Sequence, residues 1–241
     1  GGDDKLIGGE GNDDIAGGNG NDLIRGGDGN AILKGEGGDD EIEGGHGNDT
    51  IDGGTGRQVI NGGTGDDIVV SAKAGDSIDG GEGSDTLQSL DLTSLEVDLV
   101  LDLRATEQIS GDNNTRINNF ESISSVTLGS GYDTIIATGN LLVSNGSINS
   151  GGGIDTLIAD YSSASFGYLN YYGYGYGVTN MYTDSFEALL PRLWGWSEIL
   201  VNYSNIEIFE ITGTAYADYI RGYGGDDKLI GGEGNDDIAG G

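Results

Sequence analysis

Residues 8–16 read GGEGNDDIA and residues 44–52 read GGHGNDTID, and the chain around them keeps the same nine-residue step. Nine nonapeptides run from Gly8 to Gln88 without insertion or deletion, starting at Gly8, Gly17, Gly26, Gly35, Gly44, Gly53, Gly62, Ser71 and Gly80; residues 1–7 are the tail of an earlier unit. Position eight is always aliphatic: Leu6, Ile15, Ile24, Leu33, Ile42, Ile51, Ile60, Val69, Ile78 and Leu87. Position six is Asp4, Asp13, Asp22, Asp40, Asp49, Asp67, Asp76 and Asp85, interrupted by Ala31 and Gln58. Position four is Gly except at Ala74. Self-similarity at a short fixed period marks a stacked repeat architecture.

The spacing has a physical reading. Six Gly-rich residues allow a turn through positive φ, which Gly reaches at little steric cost. Three extended residues follow, and their middle member points one aliphatic side chain inward. Two such units make an eighteen-residue coil, which predicts an all-β fold: a parallel β-roll, or β-solenoid, with two nonapeptides per coil. The aliphatic residues then fill a thin core between two parallel sheets. Position-six carboxylates eighteen residues apart become neighbours along each edge and repel unless neutralised. A hard cation held by carboxylate and backbone oxygens answers that need. The oxygen-rich, thiol-free donor set suits multiple Ca²⁺ better than Zn²⁺, and Mg²⁺ gives up its waters reluctantly. The plainer reading is a set of solvated Asp in turns, which Asp favours anyway.

Composition narrows the rest. The 241 residues include 49 Gly, 41 Asp or Glu, 10 Lys or Arg, one Pro, one His and no Cys, for a net charge of −31. Nucleic acid is an unfavourable partner for such a charge. Absence of Cys excludes disulfides, zinc-thiolate sites and a Cys nucleophile. No apolar run is long enough for a transmembrane segment, and no basic-then-apolar leader opens the chain. High charge with modest apolar content predicts a chain close to disorder until its carboxylates are neutralised.

The GGxGxDxUx units resemble the repeats-in-toxin (RTX), or haemolysin-type, calcium-binding repeat family, tightly over 1–88 and 213–241 and loosely between. The resemblance implies a β-roll that folds on meeting Ca²⁺ outside the cell, after export by a machine that reads a C-terminal signal. By the family pattern the ligands are the position-six Asp together with carbonyls of turn glycines such as Gly9, Gly11, Gly18 and Gly20. Besides the eight Asp above, Asp133, Asp155, Asp218, Asp227 and Asp236 occupy comparable turn positions. Ala31 and Gln58 lack the carboxylate and fall in opposite edge columns, so weaker or missing Ca²⁺ is expected at the turns they serve.

Residues 1–18 and 224–241 are identical, GGDDKLIGGEGNDDIAGG, which is one full coil. This identity points to a parent protein repeating every 223 residues, with other copies of the repeat as end-to-end partners; an artificial duplication would leave the same trace. The expected organisation is a calcium-binding roll over 1–88, degenerate coils of the same solenoid over 89–165, a Tyr/Trp-rich insertion over 166–204, and a second calcium-binding roll over 205–241. A separate β-sandwich is the alternative for the middle. There Val97, Leu99, Leu101 and Leu103 alternate with Asp98, Val100 and Asp102, a strand period. INNFESISSVTLGSGYDTI (117–135) echoes NIEIFEITGTAYADYI (205–220).

In the insertion, seven of the 12 Tyr lie between Tyr161 and Tyr182. Tyr172, Tyr174 and Tyr176 alternate with Gly, placing three rings on one side of a strand. Asp184 and Glu187 fit a helix start, Phe186, Leu189 and Leu190 give it an apolar side, and Pro191 ends it. One short helix is therefore predicted, followed by Trp194 and Trp196. Tyr and Trp suit a contact platform for a lateral neighbour, through 166–196, or for glycans. An excursion packed on the same chain is the competing reading.

Signs of catalysis are few. His46 is an exposed, variable turn residue, no GxSxG elbow accompanies it, and the glycines lack the GK[ST] of a phosphate loop. Glu107, Glu121, Glu187, Glu198, Glu207 and Glu210 lie outside the repeats and form no recognisable pair. The sequence is expected not to be an enzyme. It reads as a calcium-stiffened module of a secreted filament, surface layer or adhesin, acting outside the cell or on its surface. The secretion domain of an exported enzyme or toxin, and a carbohydrate-binding module, remain alternatives.

Overall fold

A computed structural model describes residues 1–138, 146–160, 162, 168–169, 175–176, 181–182, 185–190, 198–213, 215, 218–222 and 224–241. Among the described residues there is no helix; the elements are strands and turns. The chain forms two compact units, one from residues 1–94 and 105–125, the other from 95–104 and 126–241.

The first unit is a β-roll built from two six-stranded parallel sheets. One contains Lys5–Glu10, Leu23–Asp28, Glu41–His46, Val59–Thr64, Ser77–Glu82 and Arg116–Asn118; the other contains Asp14–Asn19, Ile32–Gly37, Thr50–Asp52, Ile68–Val69, Thr86–Leu87 and Ser122–Ile123. Their registers follow the eighteen-residue coil. Leu6 pairs with Ile24, Ile24 with Ile42, Ile42 with Ile60 and Ile60 with Ile78. Opposite, Ile15 pairs with Leu33, Leu33 with Ile51, Ile51 with Val69 and Val69 with Leu87. The last step of each ladder skips a long detour, to Ile117 and to Ile123.

These aliphatic columns are the core. From Ile24 to Leu87 every position-eight side chain is buried, whereas Leu6 and Ile15 in the first coil are half-buried. Positions seven and nine point outward, where Arg25 pairs with Glu43 at 3.0 Å, an exposed contact of little energetic weight. Burying one such aliphatic side chain contributes about 1.5–3 kcal/mol, so the stack needs many coils to hold.

The strands are longer than the expected three residues. In the first sheet most run for six, from position seven through position three of the next nonapeptide, leaving a tight corner at positions four to six. Gly at positions two and four makes this geometry accessible: Gly45 and Gly47 adopt φ of 116° and 113°. A Cβ on Gly45 would also lie 2.2 Å from the Gly27 carbonyl oxygen of the coil below.

The second unit contains a parallel ladder of Val100–Asp102, Thr134–Thr138, Thr156–Asp160, Ile208–Thr212 and Lys228–Ile230. Leu101, Ile135, Leu157, Phe209 and Ile211 are buried along it. Leu99 and Leu103 are buried as their alternation implies, but Val97 is exposed because it stands at a corner, its carbonyl against Gly131. Tyr219–Arg221 pairs in parallel with Asp237–Ala239.

The insertion corrects one expectation. Residues Ser185–Leu190 form a strand, not a short helix, antiparallel to Glu198–Ser204 with an irregularity between Glu187 and Leu189. Six residues before a proline are too few to repay helix nucleation. Pairing with Glu198–Ser204, which contains Ile199 and Val201, supplies backbone partners instead, and that strand joins Gly146–Asn149 in parallel. Met181–Tyr182 adds a further antiparallel strand, and Tyr168–Leu169 pairs with Gly175–Tyr176. Tyr161, Tyr172, Tyr174, Pro191, Trp194 and Trp196 lie outside the described residues.

Ile51, fully buried between Leu33 and Val69, tests the core. Ile51→Ala should lower the unfolding free energy of the folded protein by about 2–5 kcal/mol. Gly45→Ala should also destabilise it, through φ strain and the carbonyl clash, in the same denaturant titration.

Candidate metal centre

The corners place the position-six side chains with one recurring geometry. From the second coil onward the repeat carboxylates Asp22, Asp40, Asp49, Asp67, Asp76 and Asp85 each turn one oxygen along the stack to accept the backbone N–H of the position-six residue one coil earlier. In the column beginning at Asp4, the Asp4 N–H donates to Asp22 Oδ1 and the Asp22 N–H to Asp40 Oδ1, both at 2.8 Å. In the other column, Ala31 N–H donates to Asp49, Asp49 to Asp67 and Asp67 to Asp85, each at 2.8 Å. The second unit repeats it: Leu99 N–H to Asp133 and Asp133 N–H to Asp155 at 2.8 Å, Phe209 N–H to Asp227 at 2.9 Å and Asp218 N–H to Asp236 at 3.0 Å.

The second oxygen decides the chemistry. Oδ2 of Asp13, Asp22, Asp40, Asp49, Asp67, Asp85, Asp133, Asp155 and Asp227 is buried with no hydrogen-bond donor. A buried carboxylate oxygen without a partner is costly. Position-one glycines leave room beside it. A Cβ on Gly35 would stand 2.4 Å from Asp40 Oδ2 and 2.5 Å from the Gly53 carbonyl oxygen, and one on Gly44 would stand 2.3 Å from the Gly62 carbonyl and 2.4 Å from Asp49 Oδ2. Each corner thus brings an unpartnered carboxylate oxygen and a carbonyl of the next coil into one cradle that any larger residue would fill. An all-oxygen donor set of this kind fits Ca²⁺.

Among the described residues no three acidic or histidine side chains converge, so an ion here would draw most of its ligands from the backbone. Of the glycines singled out by the repeat, Gly9, Gly11 and Gly20 present their carbonyls along the stack against Gly27, Gly29 and Gly38. Gly18 and Gly20 carry the left-handed φ of the corner, 98° and 129°. Asp4 is exposed in the first coil, and Asp76 has both oxygens engaged, by Gln58 N–H and Lys73 N–H.

Two features escaped sequence reasoning. Asn or Asp at position five forms a second ladder in the opposite direction: Asn12, Asn30 and Asn48 accept the N–H of Asn30, Asn48 and Asp66 at 2.9–3.0 Å. Seven of ten position-five residues from Asp3 to Ser84 are Asn or Asp, and that bias is the signal. Glu121 and Glu207 also act as position-six carboxylates, accepting the Asp85 N–H at 2.7 Å and the Asp155 N–H at 2.9 Å. Both follow an Asn of positive φ, Asn119 (56°) and Asn205 (60°). Asn-x-Glu replaces Gly-x-Asp there, because Asn tolerates the left-handed region and the longer Glu still reaches the next coil. His46 is exposed at a strand end, with Nδ1 2.8 Å from Thr64 Oγ1.

Burial sets the electrostatics. It raises the carboxyls of Asp40, Asp49, Asp76, Asp85, Asp155 and Asp227 above the ordinary range, and pushes Asp67 and Asp133 up to about 6. Neighbouring carboxylates add to the shift at Asp67, and backbone donors oppose it.

Such a molecule is a parallel β-roll whose corners offer oxygen cradles suited to a hard cation. The model of the RTX calcium-binding nonapeptide repeat matches it in four copies, at residues 1–33, 25–57, 52–87 and 211–241, and through these coils the chain belongs to the RTX calcium-binding repeat family. No curated protein matches the chain.

The raised carboxyls fix the sign of a pH effect. Without metal the folded state binds more protons than the unfolded chain between the ordinary Asp value and about 6, so acid stabilises it. In chelator, lowering the pH from 7 through 6 towards about 4 should raise β-sheet circular dichroism, and calcium affinity should weaken over the same range. A metal-free fold that weakens monotonically from pH 7 to that endpoint would contradict this.

Proposed function

We propose that the chain is a calcium-dependent structural repeat module of a secreted filament, surface-layer or adhesin protein, which folds and stiffens on binding Ca²⁺ outside the cell. The row of buried, unpartnered Oδ2 atoms along the corners carries this reading. Each corner exerts an uncompensated desolvation cost that a divalent ion removes, so ion binding and folding are one equilibrium. A ligand that binds only the folded state adds RT ln(1 + [L]/Kd) per site, and many sites in series give a steep response.

The identity of residues 1–18 and 224–241 supports a tandem role, with copies of the repeat joined end to end. In both copies the Lys-Leu-Ile segment is strand, Leu6 pairing with Ile24 and Leu229 with Ile211, although the strand runs on to Glu10 in the first copy and ends at Ile230 in the second. Lateral contacts are assigned to 166–196 on its aromatic composition, with glycans as the second class of partner. The role assigned to the chain is structural rather than catalytic.

A chelator titration at neutral pH tests the proposal. The β-sheet signal should collapse cooperatively and return on adding Ca²⁺, with much weaker recovery in Mg²⁺. A spectrum unchanged by excess chelator would sink it.

A further inference from the structure

One stretch of the Asp4 column satisfies its corners by other means. Gln58 stands at position six where its neighbours are Asp, and it is buried. Its Oε1 keeps the column going by accepting the Asp40 N–H at 3.2 Å. Its amide nitrogen faces the other way and donates to the Gly38 and Thr55 carbonyls, each at 3.0 Å. Those carbonyls belong to consecutive coils, and the NH₂ group draws them together as a cation would.

The next step along the column has a full charge. Lys73 replaces the variable residue at position three, and its Nζ donates to the Gly54 carbonyl at 2.8 Å while lying 3.9 Å from Asp76 Oδ2. The Lys73 N–H also donates to that oxygen at 2.8 Å. Asp76 is accordingly absent from the buried carboxylates with an unpartnered Oδ2. Residues 71–76 read SAKAGD, so the glycines that form the cradle at other corners are missing where the lysine enters. Of the five Lys and Arg in residues 1–88, Lys5, Arg25 and Lys34 hold the outward positions seven or nine, while Arg57 and Lys73 hold positions five and three of these two coils.

Resting on the calcium reading above and refining it, we infer that the Gln58 amide and the Lys73 ammonium occupy two successive cation positions of the Asp4 column. The corners of Gln58 and Asp76 on this edge therefore stack on the protein's own nitrogen atoms and take no Ca²⁺, while the Asp40 cradle beside them stays open. The donors reach backbone carbonyls of neighbouring coils. The loss of one carboxylate and the gain of a lysine fall within one pair of coils. Asp76 lacks the open oxygen found at Asp22, Asp40, Asp49, Asp67 and Asp85. A dication beside Lys73 would also meet direct repulsion.

The test is the calcium count of the full chain. Gln58→Asp combined with Ser71→Gly, Ala72→Gly, Lys73→Thr and Ala74→Gly returns both corners to the repeat pattern, and equilibrium dialysis at saturating Ca²⁺ should find one or two more ions per chain than in the wild type. A folded variant with an unchanged count overturns the proposal. Should the variant not fold in Ca²⁺, crystals of the wild type grown in Ca²⁺ provide the reading. Anomalous peaks should lie at the Asp22 and Asp67 corners, with none at ligand distance, about 2.3–2.6 Å, from the Gly38, Thr55 or Gly54 carbonyls. A peak there refutes the inference while leaving the calcium reading intact. A wild type that binds no ion at any corner refutes both.

Discussion

The fold depends on a carboxylate that is half satisfied. One oxygen of each position-six Asp is committed to the N–H of the preceding coil, as in Asp49 to Ala31 or Asp85 to Asp67, and this bond fixes the stacking distance. At Asp22, Asp40, Asp49, Asp67 and Asp85 the other oxygen is buried by the same act, with no hydrogen-bond donor among the described residues. A buried charge in that state is destabilising whatever the quality of the aliphatic core. The net charge of −31 compounds the problem, because adjacent coils bring like charges into register. Stacking therefore creates both the cradle and the need for an occupant, which is the physical basis of the proposed coupling between folding and ion binding.

Much of this was legible because the repeat is a direct image of the coil. Period nine set the aliphatic columns, and doubling it set the register that pairs Ile24 with Ile42 and Leu33 with Ile51. The position-six carboxylates were legible for the same reason. What remained hidden depended on hydrogen bonds across coils. Strand length was underestimated because Gly-Gly-x looks like turn, yet in parallel stacking Gly27 and Asp28 continue the ladder beside Gly45 and His46. Asn119-Phe120-Glu121 and Asn205-Ile206-Glu207 hid because they share a backbone conformation with Gly-x-Asp but no letter of it. The short helix failed because local capping signals at Asp184 and Glu187 compete with an adjacent strand that only tertiary structure reveals.

The corners are not equivalent, and their differences follow from side-chain chemistry. Ala31 and Leu99 place apolar groups at position six; each still donates its N–H to the next Asp but offers no acceptor of its own. A Cβ on Gly26 would lie 2.4 Å from the Gly44 carbonyl and 3.2 Å from the Ala31 methyl, so that cradle has a carbonyl and no carboxylate. Gln58 keeps the acceptor and adds a donor. Glu121 and Glu207 keep the charge on a longer arm. A single repeat thus grades from cradles with an open carboxylate oxygen to corners closed by the chain itself.

That grading has a mechanical consequence, because each coil turns two corners and belongs to both columns. The coil that carries Gln58 on one edge carries Asp67 on the other. At the first edge the amide closes the gap to Gly38 with neutral hydrogen bonds; at the second, Asp67 Oδ2 is buried without a partner. On the proposed calcium reading, ion removal takes favourable energy from the Asp67 edge and leaves the Gln58 edge its hydrogen bonds, so the two edges of one coil depend on the ion to different degrees. From Ile24 to Leu87 every position-eight side chain is buried, so parting the coils at either edge would expose apolar surface, and the shared core ties each corner to its neighbours.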